Sequence, residues 1–137
     1  MVRPEILHKR LRKLDEYLEI LKRLQRYSRD EFLRDPEHYG STERFLQLAI
    51  EAITDIASHI IADENLGSVN WYSDIPRILC EKNVVTEEQK DIWLKMIGFR
   101  NTLVHEYIDI DRSIVFDVLH HNIPDLESLK RVFAAYL

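Results

Sequence analysis

LHKRLRKLDEYLEIL, residues 7–21, places a leucine at 7, 11, 14, 18 and 21. Steps of four and three bring a side chain back to the same side of an α-helix, so the five leucines form one apolar stripe. Between them, every position except Tyr17 and Ile20 is charged or histidine. The spacing predicts an amphipathic helix over about residues 5–27, with Ile20 and Leu24 widening the stripe. A strand needs strict alternation of apolar and polar residues, and that pattern occurs nowhere in the chain.

The same period runs outward from this stretch. Asp35-Pro36 interrupts it, because proline cannot continue a helix without losing a backbone hydrogen bond. A second helix starts between Pro36 and Thr42. Its apolar face is Phe45, Ala49, Ala52, Ile53, Ile56, Ile60 and Ile61, and Asn65-Leu66-Gly67 ends it. A short third helix spans roughly Asp74 to Lys82. Thr86-Glu-Glu-Gln89 fits a capping box, in which Thr86 and Gln89 each satisfy a backbone amide at the start of a fourth helix. The core stripe of that helix is Ile92, Met96, Phe99 and Leu103. From about Arg112 the tail forms one or two more helices around Pro124, with Leu126, Leu129, Val132, Phe133 and Tyr136 facing inward. No linker, repeat or low-complexity segment appears. The expectation is a single all-α domain over 1–137, an antiparallel bundle of four to five helices.

Composition narrows the function classes. Apolar residues make up 45% and charged residues 31% of the 137 positions, a soluble globular balance. No apolar run approaches the ~20 residues of a membrane span. MVRPEILHKRLRK lacks the apolar centre of a signal peptide, so the expected compartment is the cytoplasm. The single cysteine, Cys80, has no intrachain partner and sits in an apolar context, which points to a buried free thiol. A net charge of −5 counts against a general nucleic-acid binder. Residues 1–35 nevertheless hold ten Lys/Arg against seven acids, enough for one basic face on an acidic body. Six histidines (His8, His38, His59, His105, His120 and His121) include no pair at a metal-ligand spacing. Adjacent His120 and His121 point to different faces and suit a helix terminus. Trp71-Tyr72 could stack on bases, but packing over a loop is the simpler role. There is no glycine-rich phosphate loop, and no cofactor or metal is expected.

The chemistry-bearing stretch is RNTLVHEY, residues 100–107. On an ideal helix Arg100 falls about 40° from Met96, inside the apolar face, and Tyr107 falls near Arg100. His105 lies about 140° away, so it meets Arg100 only if the helix bends or ends, or if a second chain supplies it. A guanidinium in an apolar face needs an acceptor, for which Asp55 and Glu51 on the second helix are the candidates. A structural ion pair at Arg100 and a helix-capping role for His105 are the ordinary explanations. Arg-x4-His also occurs at Arg3 and His8, so the spacing carries little by itself. What singles out the second copy is its setting: an apolar helix before it, Asn101, Leu103-Val104, and Tyr107 after it.

On these residues the chain resembles the HEPN superfamily of all-α domains, which carry an Arg-x4-6-His motif. It is most similar to the HepT toxin family within it. That family has Arg-Asn-x3-His-x-Tyr here, matched by Arg100, Asn101, His105 and Tyr107, with acidic Asp109 and Asp111 following. IEAITDIASHII also looks like the family's helix, with polar Asp55 in an apolar face. The resemblance covers nearly the full chain. It implies a metal-independent endoribonuclease toxin with Arg100 and His105 catalytic and Asn101, Tyr107 and Asp55 supporting. It implies a homodimer with a composite site at the interface, and a nucleotidyltransferase antitoxin of the MNT type that transfers AMP to Tyr107.

That chemistry suits the residue types. Cleavage of RNA by its own 2′-hydroxyl needs a base for that proton and an acid for the leaving 5′-oxygen, and histidine titrates in the right range. Arginine binds phosphate through a fork of donors and stabilises charge in the transition state. AMP on Tyr107 would block RNA by bulk and by repulsion. The alternatives are a non-catalytic HEPN nucleotide- or substrate-binding partner of a nucleotidyltransferase, and a purely structural bundle.

Overall fold

The computed structural model describes residues 4–106 and 108–136. Among them are seven helices and no strand: α1 (Pro4–Leu24), α2 (Arg29–Arg34), α3 (Pro36–Asp63), α4 (Asp74–Glu81), α5 (Glu87–His105), α6 (Arg112–His121) and α7 (Ile123–Ala134). The expected all-α bundle is present, with more helices than the four to five expected. The tail divides into two helices at Asn122-Ile123-Pro124. The first helix ends at Leu24, short of the expected 27, and a short α2 fills Arg29–Arg34, left without an element between it and Asp35-Pro36. Its signature was in the sequence: Ser28 and Glu31 form a reciprocal capping box, with the Ser28 hydroxyl accepting from the Glu31 amide at 3.2 Å.

The five leucines of the opening stretch are all buried, Leu14 and Leu21 completely. They lie against α3, the central element, which packs on each of the other six helices. Ten residues of α3 are buried, including Ile53, Ile56 and Ile60. Its length and apolar composition would suit a membrane span, with mean hydropathy 1.4 over one window, but half of that window is buried within the bundle. Truncating one such core leucine or isoleucine to alanine costs about 2–5 kcal/mol.

Both long connections around α4 end helices with asparagine in the left-handed region. At the end of α3, Asn65 has φ 52°. The Leu66 amide reaches back to the Ile61 carbonyl at 3.0 Å and the Asn65 amide to Ala62 at 3.3 Å. After α4, Asn83 has φ 61°, with Val84 bonding Leu79 at 2.9 Å. These paired bonds satisfy carbonyls that a helix end leaves open, and asparagine tolerates the conformation.

The capping box at Thr86 forms as expected, with Gln89 N–H donating to the Thr86 hydroxyl at 3.0 Å. Gln89 also donates to Ser128 on α7 at 2.9 Å, tying the start of α5 to the tail. The buried residues of α5 are Trp93, Met96, Ile97 and Leu103. Ile92 and Phe99, expected in the stripe, lie at its half-buried edge. Trp93 is what shifts the face: fully buried, it donates its indole N–H to the Thr54 hydroxyl on α3 at 3.3 Å. Thr54 in turn donates to its own helix at Ile50, 2.8 Å away, so no buried polar atom of this pair is left without a partner.

Candidate active site

Taking Trp93 as reference, Met96, Ile97 and Leu103 define a face of α5, and Arg100 falls in its middle at about 100° per residue. A cation in that position is tolerated because α3 answers it. Nε and Nη2 of Arg100 both meet Oε2 of Glu51, at 2.9 and 2.8 Å, and the side chains are 20% and 21% exposed. Nη1 donates to Oδ1 of Asn101 at 3.1 Å. Gln47, one turn before Glu51, donates to the same Oε2 at 3.2 Å. A charge-assisted fork of this kind holds the guanidinium plane in one orientation.

Of the two sequence candidates, Glu51 is the acceptor. Asp55, one turn further along α3, instead takes the hydroxyl of Tyr72 at 3.3 Å. The Tyr72 ring lies under the guanidinium, 5.2 Å from Cζ to the ring centre. Burial, and then the nearby Asp55 carboxylate, push the Tyr72 phenol above its usual range, which keeps it a proton donor. The chain before α4 is held by Asp74, whose Oδ2 accepts from the amides of Asn70 and Trp71, both at 2.9 Å. Those two backbone bonds hold the Asp74 carboxyl below its ordinary range.

Sequence reasoning treated Trp71 and Tyr72 as one packing pair. The structure separates them. Tyr72 packs, on Arg100, whereas Trp71 is 74% exposed and covers no loop. Tyr72 was missed as a site residue because it lies 28 positions before Arg100, on a loop without periodicity.

His105 is the last residue of α5 and is exposed. Glu106 follows as C-cap, with its amide bonding the Thr102 carbonyl at 2.9 Å. The helix stays regular, so His105 lies about 140° around the axis from Arg100 and about 7.5 Å along it. At the backbone, then, the two residues leave the helix on different sides. Tyr107 lies outside the described residues. Beyond it Ile110 is buried, while Ile108 and Ile114 are 77% and 52% exposed.

An open groove of about 500 Å³ between α1 and α3 runs up to this cluster. Lys9, Arg10 and Lys13 line one wall, Glu51 and Asp55 the other. Part of the basic face foreseen in residues 1–35 thus faces the helix that holds Arg100. Elsewhere, His121 bonds the Asp117 carbonyl at 2.8 Å, as a terminal histidine does, while the His120 ring packs tilted by 39° on Phe116 with ring centres 4.2 Å apart. Cys80 is half-buried rather than buried, and its burial pushes the thiol up, so it stays protonated near neutrality. Among the described residues no cluster of three His, Cys, Asp or Glu side chains could hold a metal ion.

Proteins of known activity match this chain along most of its length. The mRNA nuclease HepT of Shewanella oneidensis is 33% identical over 117 residues, covering 84% of this chain and 88% of that protein. The tRNA nuclease HepT of Aphanizomenon flos-aquae is 33% identical over 138 residues, covering 99% and 92%. Among solved structures, the tri-AMPylated Shewanella oneidensis HEPN toxin in complex with its MNT antitoxin superposes with a TM-score of 0.89 at 27% identity, over 97% of this chain and 99% of that one. A toxin–antitoxin complex with AMP-PNP gives 0.86 at 26% identity, over 96% and 99%. The family model described as ribonuclease HepT-like matches residues 14–132. This chain, an all-α HEPN protein, belongs to the ribonuclease HepT-like family.

Proposed function

We propose that this chain is the toxin of a HEPN/MNT toxin–antitoxin pair: a cytoplasmic, metal-independent RNA endonuclease that acts as a homodimer. The observation that carries the reading is the placement of Arg100. It occupies the middle of a buried helix face, held by Glu51, Tyr72 and Asn101, where an apolar side chain would serve stability better. Three of the five guanidinium N–H groups are engaged, which leaves donors for a phosphate oxygen.

In this reading the 2′-hydroxyl of the RNA attacks the adjacent phosphorus while a histidine takes its proton. The P–O5′ bond breaks, and the leaving oxygen receives a proton from a histidine acting as acid. Products are a 2′,3′-cyclic phosphate and a 5′-hydroxyl. Arg100 binds the phosphate and stabilises its charge at the transition state. Asn101, with its amide oxygen taken by Arg100, keeps its NH2 for a second phosphate contact. Asp55 acts at one remove, through Tyr72.

His105, exposed and turned away from its own Arg100, serves the site of a second copy. The exposed Ile108 and Ile114 beyond the motif suit such an interface. Neutralisation follows from AMP transfer: the Tyr107 oxygen attacks the α-phosphorus of ATP and pyrophosphate leaves. The MNT partner and the AMP modification of the Shewanella oneidensis toxin support this half of the reading.

The test is cleavage of bulk RNA by the purified chain with excess EDTA. Arg100→Ala and His105→Ala proteins, shown to be folded, should be inactive. Cleavage at the wild-type rate by either would remove that residue from the catalytic assignment. Co-expression with an MNT-type nucleotidyltransferase antitoxin should add AMP mass units to wild type and none to Tyr107→Phe.

A further inference from the structure

The polar side of α3 extends beyond the residues used above. Glu43, Gln47, Glu51 and Asp55 stand four apart, so they form one stripe along the helix. Arg100, near the end of α5, is bound by Glu51 and lies over the Tyr72 ring. Arg112, the first residue of α6, repeats that arrangement two turns away. Its Nε lies 3.5 Å from Oε2 of Glu43, and its Cζ sits 4.2 Å from the centre of the Tyr39 ring. The two side chains are 34% and 18% exposed. Both contacting atoms are buried and have no hydrogen-bond partner, so the pair is held by charge and by the ring rather than by a fork. Burial pushes the Glu43 carboxyl up and the Arg112 charge pulls it back.

The two arginines bracket the chain between α5 and α6. That six-residue connection, 106–111, carries the motif tyrosine and directly follows His105. Within it, the Asp109 amide bonds Glu106 at 3.0 Å and Ile110 is buried. A connection of this length is ordinarily mobile unless its ends are tied. Here α5 is tied six residues before the connection by Arg100–Glu51, and the start of α6 by Arg112–Glu43, on the same stripe of one helix.

We infer that Arg112 and Glu43 are positioning residues: their ion pair over Tyr39 anchors the start of α6 on α3 and, with Arg100–Glu51, sets the course of residues 108–111 and so steadies the end of α5 that carries the motif histidine. This rests on the ribonuclease reading above and assigns a role within it. A shift of about 1 Å in a catalytic group costs as much as 100-fold in rate, whereas a half-buried charge pair without a hydrogen-bonded fork largely offsets its own desolvation. The pair's effect therefore belongs in turnover.

The experiment compares Arg112→Met, Arg112→Lys and Glu43→Gln with wild type in RNA cleavage and in amide hydrogen exchange. Arg112→Met and Glu43→Gln should lower kcat about tenfold with KM within twofold, while Arg112→Lys, which keeps the charge over Tyr39, should stay within threefold of wild type. Amide exchange at residues 108–114 should be faster in Arg112→Met and near normal in Arg112→Lys, with α1 and α3 unchanged. A raised KM with kcat intact would make Arg112 an RNA contact and overturn the inference. Unaltered exchange at 108–114 would overturn it too, whatever the activity. Arg100→Ala is run in parallel. If it cleaves like wild type, the ribonuclease assignment fails while the exchange result still decides the anchoring.

Discussion

Arg100 on α5 and Glu51 on α3 meet through a single oxygen: Nε and Nη2 converge on Oε2 at 2.9 and 2.8 Å. The contact uses one side of the guanidinium fork and fixes its plane. Arg100→Ala should therefore lower kcat/KM by about 100-fold or more, the scale of losing one preorganised donor to a developing oxyanion. Arg100→Lys should recover little, because a point charge cannot bridge Glu51 and a phosphate with a fixed plane. Steady-state cleavage of a short RNA checks both, and near-complete recovery by lysine would mean charge alone suffices.

Tyr72 supports Arg100 in two separable ways, by its ring and by its hydroxyl bond to Asp55. Tyr72→Phe keeps the ring under the guanidinium and loses only the long hydroxyl bond to Asp55, so it should cleave within about threefold of wild type. Tyr72→Leu loses both and should fall about tenfold. Equal losses in the two variants would place the effect in the hydroxyl.

The junction of α3 and α5 rests on the Trp93–Thr54 hydrogen bond inside the core. Thr54→Val preserves shape but leaves the indole N–H unsatisfied, at a cost of about 1–3 kcal/mol. Thermal unfolding should show Tm lower by several degrees, and adding Trp93→Phe should not lower it by the sum of the two single effects.

His120 has a buried Nε2 without a partner, and its pKa is lowered first by burial and then by the neighbouring His121, with Asp117 opposing. A lowered folded-state value means the fold favours the neutral ring. Its stabilising contribution is full above the ordinary histidine value and is lost as pH falls through the lowered one. Tm of wild type should therefore drop on going from pH 7 to pH 5 by more than that of His120→Phe. The phenylalanine variant, packed on Phe116, should be at least as stable at pH 7. Parallel pH profiles of Tm would contradict the assignment.

Much of this was legible in the sequence, and the exceptions have physical causes. The leucine stripe of α1, the span of α3 and the Thr86 cap follow from period and cap chemistry, and the structure repeats them. Helix α2 escaped notice because six residues carry too little periodicity, although Ser28 and Glu31 marked its start. The placement of Arg100 on a buried face follows from helix geometry alone, as does the position of His105 about 140° around the axis from it. The choice of Glu51 over Asp55 does not, since both occupy one stripe and the outcome depends on where Tyr72 intervenes. Tyr72 and Arg112 were invisible for the same reason. Their roles arise from contacts between elements distant in sequence, which no spacing rule encodes.

In the proposed homodimer His105 completes the site of Arg100 from a second chain. Mixing Arg100→Ala with His105→Ala protein, after subunit exchange, tests it directly. Half of a random mixture is heterodimer, and each heterodimer keeps one intact site of two, so an isologous composite site predicts about a quarter of wild-type RNA cleavage. A mixture as inactive as either variant alone would mean that Arg100 and His105 do not complement each other across the dimer.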